Sequence, residues 1–276
     1  MRWDLRDGSV PRDGAALSRS EVAVVQDYLH RSAPKVCIFG LAHSDKDPHK
    51  VLVGGSCEHL IEFDLRNAER PCQTYCPEHL KGSDEHITGV AVNHTGNMAV
   101  VTYNDEDVYT IAREGTSMQE DDEGYVKRFS GHRNRQTVKQ VNFFGHESDY
   151  VVSGSDCGHV FLWETATAEL SQVFKADCIG AVNCLEPHPT MPILATSGLQ
   201  HEAKLWAPTG IEEAVRTDPD QLRRSNQEAR ERGLPQHIAA WLALHAVPLM
   251  QGGSSTSSDG AVQETSSEDE GNSSMY

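Results

Sequence analysis

The sequence predicts an all-β fold assembled from repeated small sheets, and three observations predict it. An apolar strand, a turn, a second strand ending in small residues, another turn and a third strand recur four times. A bulky residue tends to return at one position of the repeat, and a helical pattern enters only after Trp206. Units of this size cannot bury both faces of a sheet alone, so neighbours must stack to form one core.

The four units are KVCIFGLAHSDKDPHKVLVGGSCEHLIEFDLR (35–66), ITGVAVNHTGNMAVVTYNDEDVYTIAR (87–113), VKQVNFFGHESDYVVSGSDCGHVFLWE (138–164) and AVNCLEPHPTMPILATSGLQHEAKLWA (181–207). Aligning VGGS, TYND, SGSD and TSGL places Phe63, Ala112, Trp163 and Trp206 at one equivalent position, 49, 51 and 43 residues apart. Trp3 fits the same position of an earlier unit. These spacings approach the period of about 40 to 45 residues of a WD40 propeller blade once loop insertions are allowed. VVSGSD and HVFLW alternate or run apolar, as strands do when a small sheet packs on the next, and Asp156-Cys157-Gly158 supplies the tight turn between them. Candidate fourth strands are EVAVVQDYL (21–29), YVKRF (125–129) and ELSQVF (169–174).

Gly131-His132, ahead of VKQVNFF, is the Gly-His dipeptide familiar from WD40 repeats. With Ser153 and Trp163, His132 is expected to join the buried hydrogen-bond set that ties a blade together. In the usual register the Asp of that set falls at Cys157, and Asp156 stands one place early. No nucleophile lies at motif spacing from His132, so its expected role is structural, like those of Trp3, Phe63, Ser153, Asp156, Trp163 and Trp206.

Residues 1–209 are thus expected to form part of a propeller. Residues 210–250 read as a helical extension, broken at Gly233-Leu234-Pro235 into a polar first helix and a second with an apolar face through Ile238, Trp241, Leu242 and Leu244. Residues 251–276 are Ser-rich and acidic and are expected to be disordered.

Composition excludes several functions. A formal net charge of −17 speaks against a broad phosphate-binding surface, so no direct nucleic-acid ligand is expected. The longest apolar run, HIAAWLALHAVPLM at 237–250, is too short to span a bilayer, so no membrane association is expected. Seven scattered cysteines do not form a secreted disulfide framework, and a reduced compartment, nucleus and/or cytoplasm, fits them better. Cys72, Cys76 and His79 in CQTYCPEH lack a second pair at metal-ligand spacing and lie in what reads as a Pro-containing connector, so no metal is expected there. The sequence has no Gly-rich phosphate loop, metal-ligand helix or nucleophile elbow, hence no expected catalytic residue or cofactor.

YVKRFSGHRNRQTVKQVNFFG, SDYVVSGSDCGHVFLWE, AVNCLEPHPTMPILATSGL, KLWAPT and TYNDEDVY together resemble the C-terminal blades of the cullin-4-associated factor eight family. The resemblance covers roughly 1–209 and is strongest over 101–209. It implies a substrate receptor of a cullin-4 ubiquitin ligase, with an unidentified protein substrate. It also implies a seven-bladed propeller of which this chain supplies the end of one blade and about four more, ahead of the helical extension and tail.

The same resemblance gives a meaning to a doubled tripeptide. Trp3-Asp4-Leu5-Arg6 and Phe63-Asp64-Leu65-Arg66 each place Asp-Leu-Arg after an aromatic residue. In receptors of this class, aromatic-Asp-x-Arg ends the third strand of two consecutive blades and docks onto the damage-specific DNA-binding adaptor of the ligase. Asp4, Arg6, Asp64 and Arg66 are the implied adaptor-binding residues. Guanidinium suits that task because its planar fork satisfies carboxylates or carbonyls with less desolvation than an ammonium. The alternative, a WD40 scaffold without ligase contact, treats each Asp as a turn former with a solvated Arg beside it.

Overall fold

The computed structural model describes residues 36–113, 123–208 and 218–232, without the side chains of 68 and 69. Trp3, Asp4, Arg6, the candidate strand 21–29, the second helical segment and the acidic tail lie outside the described residues.

Four antiparallel sheets follow one another along the chain, each with its strands in sequence order. The first holds β1 (Ile38–Ser44), β2 (Asp47–Gly55), β3 (Cys57–Asp64) and β4 (Asn67–Tyr75). The second holds β5 (Ile87–Val92), β6 (Met98–Tyr103), β7 (Val108–Ala112) and β8 (Lys127–Phe129). The third holds β9 (Val141–Phe144), β10 (Tyr150–Gly154), β11 (His159–Glu164) and β12 (Leu170–Lys175). The fourth has three strands among the described residues: β13 (Val182–Pro187), β14 (Leu194–Gly198) and β15 (Ala203–Trp206). The first strands of the sheets neighbour one another, β1 with β5, β5 with β9 and β9 with β13, so the sheets stack as successive blades.

The core lies between blades. Leu52 and Leu60 of the first sheet meet Val101, Tyr103, Tyr109 and Ile111 of the second. Val100 and Val108, on the second sheet's other face, meet Val151, Phe161 and Trp163 of the third. Val152, Val160 and Leu162 then meet Val182, Leu185 and Leu194 of the fourth. This alternation follows from the two-residue period of a strand: neighbouring residues serve different interfaces, and both faces of a middle blade are apolar. Small residues end several second strands because the blades approach closely there. A Cβ on Gly154 would stand 2.2 Å from the Val182 carbonyl oxygen of the next blade.

Strand pairing corrects one alignment. Phe63 pairs with Val51, Trp163 with Val151 and Trp206 with Leu194. In the second sheet the residue in that role is Ile111, opposite Ala99, rather than Ala112. Ile111 faces the first sheet, just as Trp163 faces the second. A shift of one residue reverses the face, and the apolar residues on both sides of β7 left the sequence pattern blind to it.

The fourth strands expected within 125–129 and 169–174 form as β8 and β12. The connector assigned to Cys72 and its neighbours is instead strand β4. Pro71 sits opposite Phe63 at an irregularity in the β3–β4 pairing, and β4 is the outer strand, where a residue without an N–H is tolerated. After the fourth sheet, helix α1 (Pro219–Glu231) starts at Asp218, whose carboxylate accepts from the Asp220 and Gln221 amides, with Pro219 in the first turn. Among the described residues no helix is long and apolar enough to cross a membrane.

Candidate protein-docking site

Antiparallel order sends alternate connections to opposite ends of each sheet. The β1–β2 and β3–β4 turns share one end of the first blade, while the β2–β3 turn and the connection to β5 lie at the other. Asp64 and Arg66 therefore stand at the first of these ends, on the two-residue β3–β4 link.

Their geometry is closed and specific. Buried Phe63 anchors the end of β3, and Asp64 pairs with Asn67 across the turn. The Leu65 amide donates to the His49 carbonyl at 2.7 Å. Asp64 Oδ1 accepts from the Arg66 backbone N–H and from Nε, both at 2.9 Å, and Oδ2 accepts from Nη2 at 2.6 Å. The Arg66 guanidinium, and secondly its backbone N–H, holds the Asp64 carboxyl well below the usual carboxylate range. Arg66 remains 66% exposed, and neighbouring Leu65 is exposed as well. The fork is thus oriented before any partner arrives, with its outer edge in solvent.

Two residues before Asp64, and on the same face of β3, lies a charge that sequence reasoning missed. Glu62 is 1% exposed and bridges Lys50 Nζ at 2.8 Å and Arg113 Nε at 3.1 Å. Tyr75 Oη donates to the same carboxylate at 3.3 Å, and Arg113 Nη1 donates to the Gly96 carbonyl at 2.6 Å. Burial by itself would raise the Glu62 carboxyl; the hydrogen bonds from Lys50 and Arg113 outweigh it and lower it. Because Arg113 ends β7, this network ties the second blade to the strand that carries Asp64.

The expected His132 set is arranged differently. His132 is 1% exposed, with Nε2 3.4 Å from Thr102 Oγ1 of the preceding blade and its ring edge-on to Trp163. Nδ1 has no hydrogen-bond partner among the described residues. Trp163 Nε1 donates to the Ser130 carbonyl and Ser153 Oγ to the Gly154 carbonyl, both at 3.1 Å, so these side chains do not close a mutual network. Asp156 instead accepts the Arg135 and Gln136 amides at 2.7 and 3.0 Å and pairs with buried Lys139. In the fourth sheet Trp206 Nε1 donates to Thr196 Oγ1 at 2.8 Å. Burial, then the charges of Arg230 and Lys139, pushes the His132 imidazolium down to about 3, leaving the ring neutral.

Helix α1 lies on the other end of the second and third blades. Asn226 is buried, its Nδ2 donating to the Gly131 carbonyl at 2.8 Å and lying 3.6 Å from Cys157 Sγ. Burial alone would raise the Cys157 thiol, but hydrogen bonds with His159, Ser155 and Asn226 bring it down to about 7. Arg223, Asn226 and Arg230 are spaced three and four residues apart, which is the signal that places them on one helical face.

Cys72, Cys76 and His79 do not converge. Cys72 Sγ donates to the Glu62 carbonyl, Cys76 Sγ to the Pro77 carbonyl, and His79 Nε2 lies 3.0 Å from Tyr109 Oη. Among the described residues no group of three or more His, Cys, Asp or Glu side chains is placed to hold a metal ion.

Comparison with known proteins identifies the repeat. The WD domain, G-beta repeat family matches residues 124–164, a stretch reaching from just ahead of β8 to the end of β11. The chain is 41% identical over 110 residues to human (Homo sapiens) DDB1- and CUL4-associated factor 6, covering 37% of this chain and 12% of that protein. It is 34% identical over 155 residues to mouse (Mus musculus) WD and tetratricopeptide repeats protein 1, covering 54% of this chain and 23% of that protein. The chain therefore spans a minor part of either relative's length. The solved structure of U3-55K superposes with a TM-score of 0.53 at 15% identity, covering 65% of this chain and 51% of that one, a likeness of fold alone. With four stacked antiparallel sheets, these matches make the chain an all-β protein built of WD40 β-propeller blades.

Proposed function

We propose that this chain is a substrate-recognition subunit of a cullin-4 ubiquitin ligase, docking on the damage-specific DNA-binding adaptor and presenting a target protein without taking part in catalysis. The observation that carries the reading is the Asp64–Arg66 fork: an exposed guanidinium, pre-aimed by its own carboxylate, on a rigid two-residue turn. A relative named as a DDB1- and CUL4-associated factor supports the same reading. Asp4 and Arg6 repeat the motif and serve as the second anchor. Such a receptor works in the nucleus and/or cytoplasm, where the ligase and its targets meet.

One observation favours a scaffold without ligase contact: Asp64 already satisfies much of the Arg66 fork. Capture by the purified adaptor decides between the two. Arg66→Ala should weaken capture at least tenfold, and adding Arg6→Ala should abolish it. Arg66→Lys keeps the charge but loses the fork and should stay weak. If the double Ala variant is captured as tightly as the parent, the receptor reading falls.

A further inference from the structure

One side chain on the β3–β4 link does nothing for the fold. The Leu65 amide is tied to the His49 carbonyl at 2.7 Å, but the Leu65 side chain is 59% exposed and joins none of the buried clusters of the described residues. Neither Leu65 nor Arg66 adopts a positive φ. A tight two-residue link usually carries Gly, Asn, Asp or Ser, which leave no large apolar surface in water. Among the described residues in links at this end of the blades, Leu65 and Met191 of the fourth blade are the large apolar side chains left exposed.

The sequence marks the same position. Leu5 follows Trp3 and Asp4 as Leu65 follows Phe63 and Asp64. By strand pairing, the residues equivalent to Leu65 in the next three blades are Arg113, Thr165 and Pro208, and none of those blades carries the flanking Asp and Arg. Leucine therefore goes with the two charges and is absent where they are absent. Those charges alone give a partner little to hold. Asp64 neutralises Arg66 and takes its Nε and one Nη2 donor at 2.9 and 2.6 Å, and an exposed pair of this kind contributes little and is screened by salt. The outward donors set the angle at which the link meets an acceptor, while the strength of a contact here has to come from apolar area removed from water.

We propose that Leu65 is the apolar anchor of adaptor docking: it enters an apolar recess on the damage-specific DNA-binding adaptor, and Arg66 meets an acceptor at the rim of that recess and sets the orientation. This role depends on the receptor reading and adds to it the chemistry of the surface that receives the link. Because the short link already holds Leu65 in place, little ordering entropy is lost when it docks.

Capture of the full 276-residue chain by the purified adaptor tests it. Leu65→Ala should weaken capture about tenfold, the worth of burying most of a Leu side chain, and leave the melting temperature unchanged because that side chain is already in water. Leu65→Met, which keeps the apolar volume, should be captured within about threefold of the parent. The loss in Leu65→Ala should persist at about 0.5 M salt, where a loss working through the Arg66 charge would be screened. Leu65→Ala captured as tightly as the parent, beside an Arg66→Ala that is captured weakly, overturns the proposal and leaves the receptor reading standing. A loss that disappears in salt, or that Leu65→Met shares in full, overturns it too. Parent-like capture of both Ala variants removes the receptor reading itself, and the anchor with it.

Discussion

Replacing Arg113 with Met tests whether the buried charge network holds the first two blades together. The substitution keeps most of the aliphatic volume but leaves the Glu62 carboxylate, 1% exposed, with Lys50, Tyr75 and the Cys72 thiol, and leaves the Gly96 carbonyl without its guanidinium donor. Breaking a buried pair from one side costs about 3 to 5 kcal/mol when the charge is left without a partner, and because Lys50 stays 2.8 Å from Glu62 this is the upper limit here. A protein of this size loses about 2 to 4 °C of melting temperature per kcal/mol, so the expected drop is at most about 20 °C. Adding Glu62→Gln removes the stranded charge and should recover at least half of the loss, a coupling that urea titrations of the four members of the cycle measure directly. The pH dependence gives a second readout. The folded Glu62 carboxyl is lowered, so its contribution is complete above its unfolded value of about 4.3 and is lost as pH falls through the folded one. The parent should therefore lose stability faster than the double variant as the solution is acidified below that value. A single-variant cost under about 1 kcal/mol, the worth of an exposed pair, or strict additivity in the cycle, would refute the reasoning.

Three further outcomes follow from the same physics. His132 stays neutral in the fold down to about 3, so below its ordinary value of about 6.5 the unfolded chain binds a proton that the folded chain refuses. Stability should fall by about 2 kcal/mol between pH 7 and pH 5 by linkage, and urea titrations of His132→Gln should show a shallower pH dependence. Thr196→Val leaves the Trp206 indole N–H without its 2.8 Å acceptor and should lower stability by about 1 to 3 kcal/mol; a melting temperature equal to the parent's counts against this bond. Gly154→Ala forces a Cβ to 2.2 Å from backbone of the next blade and should destabilise more than any exposed Gly→Ala change, as read by denaturant midpoint.

What the sequence revealed depended on how local each signal was. Strand and turn periodicity is local, so all twelve inner strands were legible, as were β8 and β12 with their apolar residues. Strand β4 was hidden because Pro71, Cys72 and polar neighbours read as a connector; an outer strand is released from the apolar alternation that marks the inner ones. The second blade was read one residue out of register because both faces of its strands are buried, which erases the alternation that fixes register. Arg66 stood out through the doubled Asp-Leu-Arg and the family resemblance, while its pairing with Asp64 two residues away is the local contact that the scaffold reading also expected. Glu62 with Arg113, and Arg230 with Asp107, bring together residues 51 and 123 positions apart, and no pattern within a single repeat signals such pairs.

The Asp64–Arg66 fork and helix α1 stand at opposite ends of the blades. At the end carrying Asp64 and Arg66, the first blade's links are two residues long, Asp45-Lys46 and Leu65-Arg66, whereas the β7–β8 link at the same end runs over 113–126. The short β3–β4 link adds little freedom, so its charged fork is presented at a fixed angle. At the other end the β2–β3 link is the single residue Ser56, the blades are joined by the connections 76–86 and 130–140, and α1 rests against the second of these. The separation has a physical consequence: a charge change at Arg66 should leave amide exchange over 131–136 untouched, and loosening α1 should leave adaptor capture untouched. Mixed effects would mean that the stacked blades transmit strain from one end to the other, and the shared element to examine first would be the Glu62–Arg113 tie, which joins the β3 end to the second blade on which Asp107 also stands.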